Sequence, residues 1–209
     1  MKEFPCPVGI FRLMEKKILE RIPCLFLISL IASYHEQQRT YGKPIDHNIN
    51  SGKADYIIRI SRKDLQRHFG FSIDLIWKCE TYLIKKLRSY FSVKKISDKP
   101  FSRDRKWFKY KYSSSPWKYK YLNWLKEFSF SFKLEIDSWP YKMINIPSNV
   151  IYKNKFGLTY LERLSILFLF YLREKPDGIR ITNSLLSKSS GISIRTIYNA
   201  KKKYLYRQR

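Results

Sequence analysis

The 209-residue sequence predicts a helix-rich α+β fold in which one helix–turn–helix unit is used twice. Three observations carry that reading: an internal repeat, a glycine-containing turn between two amphipathic stretches in each copy, and alternating aromatic segments between the copies. Ile58-Arg59-Ile60-Ser61 recurs as Ile179-Arg180-Ile181-Thr182, an offset of 121 residues. At that offset Leu65 matches Leu186, Gly70 matches Gly191, Ile76 matches Ile197 and Trp77 matches Tyr198. Upstream, Leu19-Glu20-Arg21-Ile22 resembles Leu161-Glu162-Arg163-Leu164, and Leu25-Phe26-Leu27 recurs as Leu167-Phe168-Leu169, at an offset of 142. The 21-residue difference (142 − 121) falls in the polar stretch between Tyr34 and Ala54, where a surface loop absorbs added length.

Taken in order, an apolar helix opens each copy: Phe11–Tyr34, with a break expected near Pro23, and Tyr160–Arg173. A short strand follows, Tyr56–Ile60 or Gly178–Ile181. Ser61 and Thr182 are then N-caps whose hydroxyls accept from free amides of the next turn, and Asp64 completes a capping-box-like pattern after Ser61. A helix of about two turns ends at Gly70 or Gly191, where a positive φ favours glycine. Ser72 and Ser193 cap the second helices, Ile73–Leu87 and Ile194–Tyr206. Ile73, Ile76, Leu83, Ile84 and Leu87 share one helical face, as do Ile194, Ile197, Tyr204 and Leu205. Beyond the first copy, Phe91–Ile96 and Arg105–Tyr112 alternate around a turn-rich stretch and read as a β-hairpin. Phe128, Phe130, Phe132, Leu134 and Ile136 mark a half-buried strand, and Lys142–Pro147 a short one leading into the second copy. The expected organisation is a first unit at 1–112, a structured aromatic connector at 113–141 and a second unit at 142–209.

Charge narrows the choice of partner. Lys and Arg number 42 against 17 Asp and Glu, a net +25, while 44% hydrophobic and 17% aromatic residues exclude a disordered basic tail. An A·T-rich genome alone raises Lys, Ile, Asn, Tyr and Phe, so location matters more than total. Thirteen Lys/Arg and two acids lie between Lys85 and Lys120, and the last fifteen residues hold six bases and no acid. Such concentration suits a polyanion, nucleic acid before an anionic membrane surface. The apolar run Ile22–Ser33 is shorter than the ~20 residues a helix needs to span a bilayer. Glu15, Glu20 and Pro23 argue against a secretory leader, and Cys6, Cys24 and Cys79 make no disulfide framework. A cytoplasmic protein without membrane contact is expected. His35, His47 and His68 are isolated, so no zinc spacing exists, and no glycine-rich phosphate loop is present. Neither an enzyme, a metal nor a cofactor is expected.

The faces opposite the apolar stripes carry Asp74, Lys78, Thr81 and Lys85 in the first copy, and Arg195, Thr196, Asn199, Lys202 and Lys203 in the second. A helix–turn–helix turns such a face, with the capping Ser72 or Ser193 at its start, toward the major groove of double-stranded DNA. Arg195 can read guanine in bidentate fashion and Asn199 adenine, with the lysines on phosphate. The hairpin adds Arg103, Arg105, Lys106, Lys109 and Lys111 as a basic wing beside the backbone. The plainer alternatives are solvated helix faces and an edge strand guarded by lysines.

Two winged-helix units in tandem, joined by an aromatic β connector, resemble plasmid replication initiators that bind origin repeats as monomers. Ile144-Asn145-Ile146-Pro147, followed by Gly157-Leu158-Thr159 and Leu161–Leu172, resembles the opening of winged-helix domains in bacterial replication initiators and phage replisome organisers. The resemblance implies sequence-specific DNA binding, as monomer or dimer, and recruitment of a replicative helicase or other replisome proteins. The second copy departs from the pattern: it runs to Arg209 with no wing, which leaves open whether the protein ends there or the chain continues. A transcription regulator of the same fold is the neighbouring alternative, and an RNA-binding or polybasic membrane-surface protein the more distant one.

Overall fold

A strand, a short helix, a longer apolar helix and a glycine-turn helix pair occur in that order twice along the chain. In the computed structural model, which describes residues 3–41, 53–88, 91–95, 125–133, 143–152, 156–174 and 180–206, the first series begins with strand β1 (Glu3–Pro7), α1 (Val8–Glu15) and α2 (Arg21–Tyr41). Past β2 (Lys53–Ser61) come α3 (Arg62–Phe69) and α4 (Ile73–Lys86). Strands β3 (Phe91–Lys95) and β4 (Leu125–Lys133) follow. The second series is β5 (Met143–Pro147), α5 (Ser148–Ile151), α6 (Tyr160–Arg173), α7 (Asn183–Ser190) and α8 (Ile194–Tyr206). The fold is helix-rich α+β, with two small antiparallel sheets among the described residues.

The helix boundaries follow from local capping. The Ser61 hydroxyl accepts from the Asp64 amide at 3.1 Å and donates to the Asp64 carboxylate at 2.7 Å. Ser72, Thr182 and Ser193 accept from the amides of Leu75, Leu185 and Thr196 at 3.1–3.2 Å. Gly70 (φ 77°) and Gly191 (φ 64°) close α3 and α7 in the left-handed region. Helix α6 carries a full capping box: the Glu162 amide donates to Thr159 at 3.3 Å, and the Thr159 amide to the Glu162 carboxylate at 2.8 Å.

Several expectations are corrected. The first apolar helix breaks at Lys16–Glu20, not at Pro23. Lys17 takes φ 59°, and the amides of Lys17 and Ile18 bond the Met14 and Leu13 carbonyls at 2.9 Å, a C-terminal closure made without glycine. Pro23 lies in the first turn of α2, where its missing N–H costs nothing because the helical bonds begin with Cys24 to Glu20. Helix α2 also runs on past Tyr34 to Tyr41, so the polar residues 35–39 are helical. Strand β2 begins at Lys53, earlier than expected. Strand β3 pairs with β4, which lies between β2 and β3 in the sheet; the segment read as connector thus supplies a central strand. The expected partner segment 105–112 lies outside the described residues, as do Ile96, Leu134, Ile136 and Lys142. Arg180 and Ile181 form no strand; Gly178 and Ile179 lie outside the described residues.

Strand β1 pairs antiparallel with β5, and Pro5 and Pro7 hide it from a propensity reading. Both strands of a two-stranded ladder are edges, the place where proline is tolerated. The ladder is symmetric about Pro5↔Asn145: Glu3↔Pro147 at one end mirrors Pro7↔Met143 at the other. Corresponding strands are thereby exchanged by a local twofold axis. Helix packing follows the same exchange, α1 lying against α6 as α5 lies against α2. Helix α2 is buried on all sides from Pro23 to His35 because α4 and β2 cover one flank while α5 and α6 cover the other. Phe26 meets Phe71 at 5.6 Å and Phe128 at 6.1 Å between ring centroids, and Phe11 stacks on Tyr171 at 4.9 Å. A single core therefore runs through both series.

Candidate nucleic-acid interface

The pairs α3–α4 and α7–α8 are built alike. The turns Gly70–Ser72 and Gly191–Ser193 join them, and each second helix buries a narrow stripe: Ile76, Cys79, Leu83 and Leu87 in the first, Ile197, Ala200 and Tyr204 in the second. A polar link crosses each pair at matching positions with the roles reversed. Arg62 donates to the Glu80 carboxylate at 3.2 and 2.5 Å, whereas Lys201 donates to the Asn183 side-chain oxygen at 2.7 Å. Each second helix is also tied to the start of the long helix of its own series. Tyr82 accepts from the Glu20 amide and donates to the Ile18 carbonyl, both at 3.2 Å. Its counterpart Lys203 donates to both Glu162 oxygens at 2.8 and 2.9 Å.

These inner ties decide which side of each second helix is presented outward. On α4, Asp74, Trp77, Lys78 and Lys85 are exposed; on α8, Arg195, Tyr198, Asn199 and Lys202. The arrangement offers two helix faces bearing guanidinium, ammonium, amide and aromatic groups. Ser72 and Ser193 stand at their starts as exposed caps. Thr81 and Thr196 are half-buried, and the Thr196 hydroxyl lies 2.8 Å from that of Ser193. Lys203, expected on phosphate, has its ammonium on the Glu162 carboxylate at 2.8 Å. The expected apolar faces are corrected too, since Ile84 (41% exposed), Ile194 (52%) and Leu205 (58%) fall beside the buried stripe. Arg103, Arg105, Lys106, Lys109 and Lys111 lie outside the described residues.

Two features escaped the sequence reading. Trp77 and Tyr198, matched by the repeat, are 55% and 58% exposed at corresponding positions of α4 and α8. Their match across the repeat was visible, but their direction required the packed stripe. The second feature is Arg163, a buried arginine of α6 that donates to the carbonyls of Phe69 at 2.7 Å, and of Ile151 and Leu158 at 3.2 Å. It thus crosses from the second series to the C-terminal end of α3, meeting carbonyls that a helix end leaves unpaired. Burial pulls its pKa down, and the neighbouring Tyr160 partly opposes that. Tyr160 donates to the Gly70 carbonyl at 2.5 Å and stacks on Phe71 at 5.2 Å. Its counterpart arginine, Arg21, lies at the other turn: a Cβ on Gly191 would sit 3.0 Å from the Arg21 Nη2.

Among the described residues no group of three or more His, Cys, Asp or Glu is placed to hold a metal ion. All three cysteines are buried, and burial raises their thiol pKa values, Cys79 to about 12 with Glu80 and Glu20 adding to the rise. No helix of the described residues is long and apolar enough to cross a membrane. Compared with protein-family models, curated proteins and solved structures, the chain gives no match.

Proposed function

We propose that the chain is a sequence-specific double-stranded DNA-binding protein whose α3–α4 and α7–α8 pairs act as two helix–turn–helix units of winged-helix type. In this reading it initiates replication of a plasmid or another mobile element by binding origin DNA and recruiting replisome proteins such as the replicative helicase. One observation carries the reading: the same glycine-turn helix pair occurs twice, each time with its second helix held by its inner face and its polar face exposed. A net charge of +25 supplies the sequence-independent attraction to phosphate.

The roles divide by chemistry. Arg195 and Asn199 have the donor geometry to read guanine and adenine edges, while Lys78, Lys85 and Lys202 meet phosphate. Arg103, Arg105, Lys106, Lys109 and Lys111, outside the described residues, supply in this reading further positive charge for the phosphate backbone. The function is binding, without a catalytic step. Titration with the element's own origin DNA tests this: affinity over random duplex is expected to differ by a factor on the order of 10³ at physiological salt. Arg195→Ala and Asn199→Ala relax preference at particular base pairs, whereas neutralising Arg105, Lys106 and Lys109 weakens all duplexes alike and flattens the salt slope. Equal binding of random duplex and RNA would refute the proposal.

A further inference from the structure

From the cavity at the end of α7 we infer that the chain binds a nucleoside phosphate whose base carries an amino group. The site lies beside the turn that leads into α8. The inference goes beyond the DNA-binding reading and stands or falls without it.

The two glycine turns correspond in sequence, yet one is filled and the other is open. At the end of α3, Tyr152 stacks on Phe69 at 5.3 Å between ring centroids and Tyr160 on Phe71 at 5.2 Å. Arg163 donates to the Phe69 carbonyl at 2.7 Å, and the Tyr160 hydroxyl to the Gly70 carbonyl at 2.5 Å. At the end of α7 the repeat places Ser189 and Ser190 where the first copy has His68 and Phe69. Ile18 stands where the second series has Tyr160, and it is 45% exposed. With these smaller or outward side chains, a cavity of about 600 Å³ remains between the α7 end and the connection from α1 to α2. Among the described residues no side chain donates to the carbonyls of Ser190 and Gly191, the counterparts of the two that Arg163 and Tyr160 meet.

The lining says what fits. Met14, Leu19, Ile22 and Leu161 supply apolar contact, and the volume suits a small organic molecule. A flat ring placed there regains the packing that Tyr152 and Tyr160 give the other turn. An amino group on that ring donates to the Ser190 or Gly191 carbonyl, as Arg163 and Tyr160 donate to theirs. Lys17, Arg21 and Lys188 line the same cavity and are all exposed. Arg21 lies against Gly191, where the absence of a Cβ leaves room for its guanidinium, and that planar fork matches two phosphate oxygens. Glu15 and Glu20 line the cavity too, but Glu15 is engaged, accepting from the Tyr171 hydroxyl at 2.9 Å. Three cations against two carboxylates leave the lining positive. A ring, a donor and an anion are thus called for in one ligand. Inorganic phosphate forgoes the ring contacts, and a nucleoside without phosphate forgoes the cations.

Calorimetric titration of the intact chain, free of DNA, with AMP, GMP and CMP tests this, with UMP, adenosine and inorganic phosphate for comparison. The expected result is saturable binding of an amino-bearing nucleotide at one site per chain, with each comparison ligand weaker by about tenfold or more. Arg21→Met weakens that binding by about tenfold. Lys86→Met removes the same charge from an exposed position of α4 outside the cavity and leaves binding unchanged. Ser189→Trp puts a ring into the gap and abolishes binding without lowering the melting temperature. Equal weakening by Arg21→Met and Lys86→Met would trace the binding to the general attraction of a +25 chain for anions and overturn the inference. So would UMP, adenosine or phosphate binding as tightly as the best of the three nucleotides, or no saturation by any of the three at millimolar concentration. Each of those results leaves the DNA-binding reading untouched.

Discussion

Arg163 shows how much one side chain can decide. Its guanidinium meets three backbone carbonyls in a buried site, so Arg163→Met leaves those acceptors without it. Loss of about 2–4 kcal/mol is expected, read from the urea midpoint, with partial recovery in Arg163→Lys, which keeps charge but not the planar fork. Trp77 and Tyr198 behave oppositely. Being exposed, they contribute little to folding, and alanine at either is expected to shift stability by no more than about 0.5 kcal/mol. On the proposed function the same changes weaken binding, and replacing dT by dU in the target reproduces the loss where the ring meets a thymine methyl. A sequence shows an arginine and two matched aromatics; which is buried and which faces outward depends on neighbours far away along the chain.

At the scale of elements, capping carries the predictions. Thr159→Ala removes the hydroxyl that accepts from the Glu162 amide, and a cost of about 1 kcal/mol is expected in thermal or urea unfolding. Burial alone would raise the Glu162 pKa, but hydrogen bonds from Lys203 and from Thr159 outweigh it and hold the value below the usual range. The folded value therefore lies below the unfolded one. Stability from this group is present above the ordinary carboxylate pKa and is lost as pH falls through the lower folded value. Glu162→Gln should accordingly destabilise by about 1–2 kcal/mol at neutral pH, with the gap to the parent closing below about pH 4, which unfolding at stepped pH would show. Gly70→Ala places a side chain at φ 77° and is expected to cost about 1 kcal/mol; Gly191→Ala costs the same and also displaces Arg21. These caps were legible beforehand in Ser61, Ser72, Thr182 and Ser193, because a cap is chemistry within three or four residues. Thr159-x-x-Glu162 carries the same signal.

At the scale of the whole molecule, the two series share one core among the described residues. Phe11 stacks on Tyr171, Phe71 on Tyr160 and Phe69 on Tyr152, each pair joining the two series. A single cooperative transition is expected, with calorimetric and van't Hoff enthalpies in agreement; two resolved transitions would show the series to be independent. The sequence by itself determined the repeat, the long apolar helices, the capped turns and the polar faces of α4 and α8. Each of these is written in residues a few positions apart, where periodicity and capping act. The tertiary structure alone decided that β3 pairs with β4, that β1 and its prolines pair with β5, and that the two series face each other through a half-turn. Strand pairing and helix docking join residues from about thirty to more than a hundred positions apart, and one exposed strand edge offers the same donors and acceptors as another. Which edge is met is settled only when the surrounding core closes, and that closure also sets how α4 and α8 stand to one another.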